Sequence, residues 1–175
     1  MDKKTARKKI LEKRLLLSQG FIERASKKIC DKIKKTKEYK NAKIVALYFP
    51  IKNEVNILPL LKNKNKKFLL PRLEKEKLIF APFRSLSELK AGRFRIPEPV
   101  AQEWRGRIDA IIVPAVAFSP TKHRLGYGKG FYDNFLKKID PFKIGVAFDF
   151  QISHFAHEEH DAAMDVVITE KRTIA

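Results

Sequence analysis

One cysteine in 175 residues excludes a disulfide framework. Cys30, beside Ile29 and Ile33 on one helical face, reads as a small buried hydrophobe rather than a nucleophile. Long apolar runs are missing too. No stretch approaches the roughly 18 residues of a membrane-spanning helix, and the charged start of the chain has no apolar segment resembling a secretion signal. A cytoplasmic protein that meets no membrane is therefore expected. Acidic residues are scarce, 20 against 38 Lys and Arg, and the formal net charge of +18 creates a field that attracts nucleic acid, nucleotides or polycarboxylates. Lysine-rich composition also suits a protein of a hot environment, so charge does not choose among these. Glycine is rare as well, seven in all, yet Gly126, Gly128 and Gly130 fall within five residues.

Those glycines belong to RLGYGKGFYD, residues 124–133, the densest chemistry in the chain. Alternating with Tyr127 and Lys129, they free the backbone for positive φ and let its N–H groups converge on an anion. Phe131, Phe135 and Leu136 follow at helical spacing, so the loop leads into a helix whose N-terminal end favours phosphate. Arg124 and Lys129 supply charge to phosphate oxygens, and Asp133 in the first helical turn is placed to hold a divalent metal. A flexible turn, with Asp133 complementing only the helix dipole, fits the same spacing.

Residues 3–17 read as an amphipathic helix with Ala6, Ile10 and Leu17 on one face, Leu11 and Leu15 widening it, and Lys3, Arg7 and Arg14 in a cationic row beside it. A second helix spans 18–37, with Ile22, Ala25, Ile29 and Ile33 inward. Up to Lys43 there are 16 Lys and Arg against 5 Asp and Glu, +11 of the total, which favours a nucleic-acid-binding alternative. Residues 44–49 form a buried parallel strand ended by Pro50, with Glu54 at the strand-to-helix junction beyond. A short helix is expected at 56–63, strands at 67–70 (ended by Pro71) and 78–83, a turn at 72–77, a helical turn at 85–89 and an extended link at 94–100. Trp104 either packs over the sheet edge or lines the site. Residues 109–118, the most apolar stretch, are the central strand that delivers the glycine loop, followed by strands at 142–149 and 166–168. This alternation predicts an α/β fold, a three-layer α/β/α sandwich with a mostly parallel, mixed, Rossmann-like sheet, in one domain over 1–175. His154, His157 and His160, beside Glu158, Glu159 and Asp161, recur every third residue, a spacing that turns them around a helix and argues against zinc.

RLGYGKGFYD after VPAVAF (113–118) resembles the signature of the 5-formyltetrahydrofolate cyclo-ligases, also called methenyltetrahydrofolate synthetases. Phe131 stands where the family has the first Tyr of a pair, and the loop at 119–123 lacks its usual Asp and Gly. Lys3-Lys4-Thr5-Ala6-Arg7 is similar to the family's opening Lys-x-x-Leu-Arg pattern, with Ala6 in place of Leu. Phe49 and Glu54 match its folate-contacting pair, and residues 160–170 match its C-terminal signature.

The resemblance implies ATP bound by residues 3–7 and by Arg124, Leu125, Gly126, Tyr127, Gly128, Lys129, Gly130, Phe131 and Tyr132. It implies the pterin on Phe49 and Glu54, with 127–131 meeting both substrates, and Mg²⁺ on Asp133 and Asp165. Arg124, Lys129 and Asp133 then carry the chemistry: ATP-dependent cyclisation of 5-formyltetrahydrofolate to 5,10-methenyltetrahydrofolate, with release of ADP and phosphate. Phosphorylating the formyl oxygen makes it a leaving group that N10 displaces, which needs positioning and charge neutralisation rather than a protein nucleophile. The expected partners are these small molecules, with no nucleic acid, and the expected state is a monomer. A phosphosugar-binding or transferase activity on a similar fold is a further rival.

Overall fold

The computed structural model describes residues 2–156 and 162–175. Its frame is a seven-stranded sheet in the order β11-β10-β9-β6-β1-β2-β3. These strands are β1 (Ile44–Ala46), β2 (Lys67–Glu74), β3 (Lys77–Pro82), β6 (Ala110–Pro114), β9 (Phe142–Val146), β10 (Val166–Ile168) and β11 (Thr173–Ile174). The five inner strands are parallel, and β3 and β11 close the edges antiparallel. Two ribbons stand apart from the sheet: β4 (Lys90–Ala91) with β5 (Pro97–Glu98), and β7 (Ala117–Phe118) with β8 (Arg124–Leu125).

Both faces of the inner strands are buried, which is why they read as continuous apolar runs. Val45, Ile112, Ile144 and Ile168 face one side, where α2 (Gln19–Lys35) lays down Ile22, Ile29 and Ile33, with α3 (Lys37–Asn41) beyond it. The alternate residues Ala46, Ile111, Val113 and Val167 face the other side, covered by α4 (Phe131–Leu136) through Leu136 and Phe135 and by Trp104. The expected three layers are present, the second being thin because α4 has only six residues. α1 (Lys3–Leu15) belongs to neither layer: Ala6 and Ile10 pack with Ala117 and Leu125 of the β7–β8 ribbon and with Val116 just before it. It therefore lies against the ribbon that carries the glycine loop.

Several local expectations change. β2 runs through Pro71 to Glu74 instead of stopping. The Leu69 carbonyl faces β1, accepting from the Leu47 N–H at 2.9 Å, so by alternation the Pro71 nitrogen faces the same side, past the end of β1, where no ladder bond is lost. The turn at 72–77 shrinks to Lys75 and Glu76, both at positive φ in a two-residue hairpin. The extended link at 94–100 contains β5 and a left-handed bend at Phe94 and Arg95. Residues 56–63 make a 3₁₀ turn, Leu58–Lys62, and β11 was not anticipated. Trp104 packs at the sheet edge, donating from its indole to the Arg107 carbonyl at 3.2 Å with the Lys67 ammonium 4.9 Å above its ring. Cys30 is buried, and burial pushes its thiol up to about 11. Of the histidine cluster, residues 157–161 lie outside the described residues, and His154 is exposed.

Candidate active site

The chain leaves β1 toward β2 on one side and β6 toward β9 on the other. Connections that diverge in this way open a crevice at the C-terminal ends of the two strands, the place where open α/β sheets bind ligands. The turn at 51–54 enters it from β1, and the glycine loop from β6.

Where β6 ends, the carbonyls of Pro114, Ala115 and Val116 lie in buried surroundings and need donors. Side chains supply them. Arg124 Nε donates to Pro114 at 2.8 Å, Arg14 Nη1 to Ala115 at 3.3 Å, and Gln151 Nε2 to Ala115 at 3.2 Å and Val116 at 2.8 Å. Gln151 is fixed in turn by the Phe148 N–H on its Oε1 at 2.9 Å. Two arginines are thus anchored with their remaining donors in the crevice.

Glu54 is placed by a tight turn, not by the strand-to-helix junction expected from the sequence. Lys52 and Asn53 have φ of 47° and 58°, and the Glu54 N–H closes the turn on the Ile51 carbonyl at 3.0 Å. Asn53 Nδ2 donates to the Arg14 carbonyl at 3.2 Å, capping the end of α1 and tying the turn to it. The Glu54 carboxylate is 6% exposed. Its Oε2 accepts from the Ile51 N–H at 3.1 Å, its Oε1 accepts from the Tyr127 hydroxyl at 3.1 Å, and Arg14 Nη1 stands 3.9 Å away. Burial raises its pKa, opposed first by the Arg14 charge. Arg14, 1% exposed, donates a very short bond to the same Tyr127 hydroxyl. Burial and the Glu54 charge push that phenol up to about 12, so it stays a donor.

The phosphate side is built from α1 and the loop. Arg7 Nε donates to the Gly126 carbonyl at 2.8 Å, and its guanidinium lies against Gly128, whose φ of 95° suits glycine alone. Gly130, at φ 69°, turns the chain into α4. Arg124 Nη1 is 3.6 Å from Asp133 Oδ2, with its guanidinium 4.8 Å over the Tyr132 ring. The other carboxylate oxygen, Asp133 Oδ1, is buried with no hydrogen-bond partner. A hard cation would satisfy that orphaned oxygen, so the residues fit Mg²⁺.

The remaining expected residues divide. Phe49 is half-buried at the crevice, five residues before Glu54. Leu125 is buried under α1, Phe131 is half-buried, and Lys129 is exposed. Lys3 begins α1, and Asp2 caps its first turn by accepting the N–H groups of Lys4 and Thr5, both at 3.0 Å; Lys4 and Thr5 are exposed, whereas Ala6 is buried. Asp165 is not brought to Asp133. It precedes β10, where its Oδ2 accepts the Lys143 N–H at 2.6 Å, and it borders a cavity of about 440 Å³ with Asp109 and Asp140. Lys143 pairs with Ile111, near the start of β6, whereas Arg124 and Asp133 gather at its Pro114 end. Arg14, Gln151 and Asn53 are the members that sequence reading missed.

The model of the 5-formyltetrahydrofolate cyclo-ligase family matches residues 1–170. The chain belongs to that family. The cyclo-ligase relatives include the 5-formyltetrahydrofolate cyclo-ligase of Mycoplasma pneumoniae, 31% identical over 175 residues, covering 98% of this chain and all of that one. Among solved structures, the 5,10-methenyltetrahydrofolate synthetase of Aquifex aeolicus superposes with a TM-score of 0.88 at 40% identity, over 99% of this chain and 92% of that one. The synthetase from Mycoplasma pneumoniae gives 0.80 at 29% identity, over 97% and 99%. A cyclo-ligase is an enzyme. Among the described residues no helix is long and apolar enough to cross a membrane.

Proposed function

We propose that this chain cyclises 5-formyltetrahydrofolate to 5,10-methenyltetrahydrofolate, with ATP as co-substrate and Mg²⁺ bound at Asp133, releasing ADP and phosphate. The observation that supports this most is that one hydroxyl, that of Tyr127, joins the glycine loop to a buried carboxylate across the same crevice. A pterin's amino-pyrimidine edge presents paired N–H donors, and Glu54 is a fixed acceptor for them, with the half-buried Phe49 nearby to cover the ring.

The γ-phosphoryl group leaves its bridging oxygen on ADP and forms a bond to the formyl oxygen. N10 then attacks the formyl carbon, losing its proton, and the C–O bond breaks with phosphate as leaving group. Arg7, Lys3, Lys129 and the N–H groups of 126–130 hold the triphosphate, and Arg124 stabilises charge on the transferring group. Asp133 would hold Mg²⁺, which would supply positive charge to offset that of the phosphates. Arg124 also ties Asp133 to the end of β6.

The test is to incubate purified protein with 5-formyltetrahydrofolate and MgATP, following methenyltetrahydrofolate by its near-ultraviolet absorbance and ADP by a coupled assay. Stoichiometric formation of both, lost in Asp133→Ala, is expected. ADP release without the folate product, or indifference to Asp133→Ala, refutes the assignment.

A further inference from the structure

The hydrogen bonds that run from α1 to Glu54 all point the same way. A guanidinium can only donate, and Arg14 gives an Nη2 proton to the Tyr127 hydroxyl in a very short bond. The phenol oxygen is thereby an acceptor, so its own proton goes to the next partner, Oε1 of Glu54, 3.1 Å away. Arg14 cannot swing out of this line, because its Nη1 is held by the Ala115 carbonyl at 3.3 Å and the side chain is 1% exposed. Glu54 receives a second donor, the Ile51 N–H, on Oε2 at 3.1 Å. An ionised carboxylate offers about four acceptor positions, so these two bonds leave about one free on each oxygen. Two parallel acceptors are the complement of two adjacent N–H donors.

We infer that Arg14 is a positioning residue that sets this polarity: by donating to Tyr127 and balancing the charge of Glu54, it makes the folate end of the crevice select a ligand edge with two adjacent donors. This rests on the proposed function, in which the pterin's amino-pyrimidine edge meets Glu54. Without the guanidinium, the Tyr127 proton is no longer directed, since a hydroxyl turns to whatever acceptor is near. The carboxylate also loses the positive charge 3.9 Å away. Burial raises the pKa of Glu54 and the Arg14 charge is the largest influence opposing it, so removing Arg14 protonates Glu54 at a higher pH. A protonated carboxyl carries a donor of its own and meets a pterin N–H with hydrogen instead of a lone pair. The other groups that face this carboxylate are Arg124, Tyr48, Tyr127 and Tyr132. Burial pushes the three phenols up, so they stay neutral through the neutral range, and Arg124 stays charged. Substrate groups titrate alike whichever protein is assayed, so a difference between variants in their acid limbs reads Glu54.

The experiment measures kcat/KM for 5-formyltetrahydrofolate against pH, at saturating MgATP, for the full chain and its Arg14→Gln and Arg14→Lys variants. The same proteins are assayed at neutral pH with the 2-desamino-2-methyl analogue of the substrate, which lacks one of the paired donors. Wild type is expected to prefer the folate over the analogue by about ten- to a hundredfold, the scale of one hydrogen bond to a charged acceptor. Arg14→Gln should lose most of that preference and move the acid limb of kcat/KM up by at least about one pH unit, with its KM for ATP within about threefold of wild type. Arg14→Lys keeps the charge and should keep the limb within about half a unit. An Arg14→Gln enzyme with an unmoved limb or full preference overturns the inference. So does an Arg14→Lys enzyme whose limb moves by a unit or more, or an equal loss toward ATP and folate, which a loosened fold would give. A wild type that handles the analogue within about threefold of the folate overturns it whether or not any variant folds. Wild-type protein that forms no methenyltetrahydrofolate refutes the proposed function itself.

Discussion

Glu54→Gln separates what this carboxylate does for the fold from what it does for the reaction. Gln keeps the shape and removes the charge. The variant loses two charge-assisted acceptor positions for the pterin's donors, at about 1.5–3 kcal/mol each, or about 3–6 kcal/mol together. That corresponds to a fall of about 10²–10⁴-fold in kcat/KM for 5-formyltetrahydrofolate. Stability should respond quite differently. The native surroundings raise the pKa of Glu54, mainly through burial, so they penalise its charged form on balance. Gln escapes that penalty but leaves Arg14, 3.9 Å away, without its counter-charge. These effects oppose each other, and the variant is expected within about 1 kcal/mol of wild type at neutral pH.

The pH dependence checks the sign. Because the native carboxyl holds its proton more firmly than the unfolded one, the folded state binds more protons between the unfolded value of 4.5 and the raised native value. Glu54 therefore contributes favourably below 4.5 and loses that contribution as pH rises through the native value. Arg14, Arg124, Tyr48 and Tyr127 also act on this group, but they are common to both proteins, so the difference between wild type and Glu54→Gln isolates the carboxyl. Urea midpoints across pH 4–8 measure it. A Glu54→Gln enzyme within tenfold of wild-type kcat/KM, or a wild type that gains on the variant as pH rises, refutes the reasoning.

Asp133→Asn should lower kcat/KM by at least about a hundredfold, as removal of a preorganised electrostatic group does, and abolish the Mg²⁺ dependence of turnover measured by metal titration. Gly126→Ala places a Cβ 2.6 and 2.8 Å from the Arg124 guanidinium nitrogens. Bonds to Pro114 and Asp133 restrain that guanidinium, so activity should fall far more than the urea midpoint. Gly130→Ala meets no close atom but must hold φ near 69°, so it should cost about 1–2 kcal/mol in urea unfolding. Ile29→Ala, deep between α2 and the sheet, should cost about 2–5 kcal/mol while the remaining folded protein turns over normally.

Much of the fold was legible because burial on both faces leaves a simple trace. β1, β6 and β9 appear as short apolar runs, and the inward side of α2 repeats at helical spacing. What escaped is fixed by neighbours rather than by local pattern. Pro71 reads as a strand end, yet it is harmless because β1 stops before reaching it. Asp165 matches a metal-binding signature, but the start of β10 directs it to the Lys143 N–H. Its carboxylate acts there as a main-chain acceptor.

The glycine loop could be read residue by residue, whereas the residue that organises it could not. Arg14 falls in the sequence as one more cation of a basic helix, although the helix phase does contain the signal: Ala6, Ile10 and Arg14 are spaced by four and stay within 80° of one another at 100° per residue. Leu15, expected to widen the apolar face, lies instead in solvent with Leu16; that phase, taken at face value, puts a guanidinium on the buried side. An apolar residue would pack there at lower cost, since a buried cation must recover its desolvation from its partners. Those partners are the Ala115 carbonyl, the Tyr127 hydroxyl and Glu54, one from each of the three segments that converge on the crevice. A charge held at such cost, with its Nε still unmatched, is better explained by the arrangement of the site than by the stability of the fold.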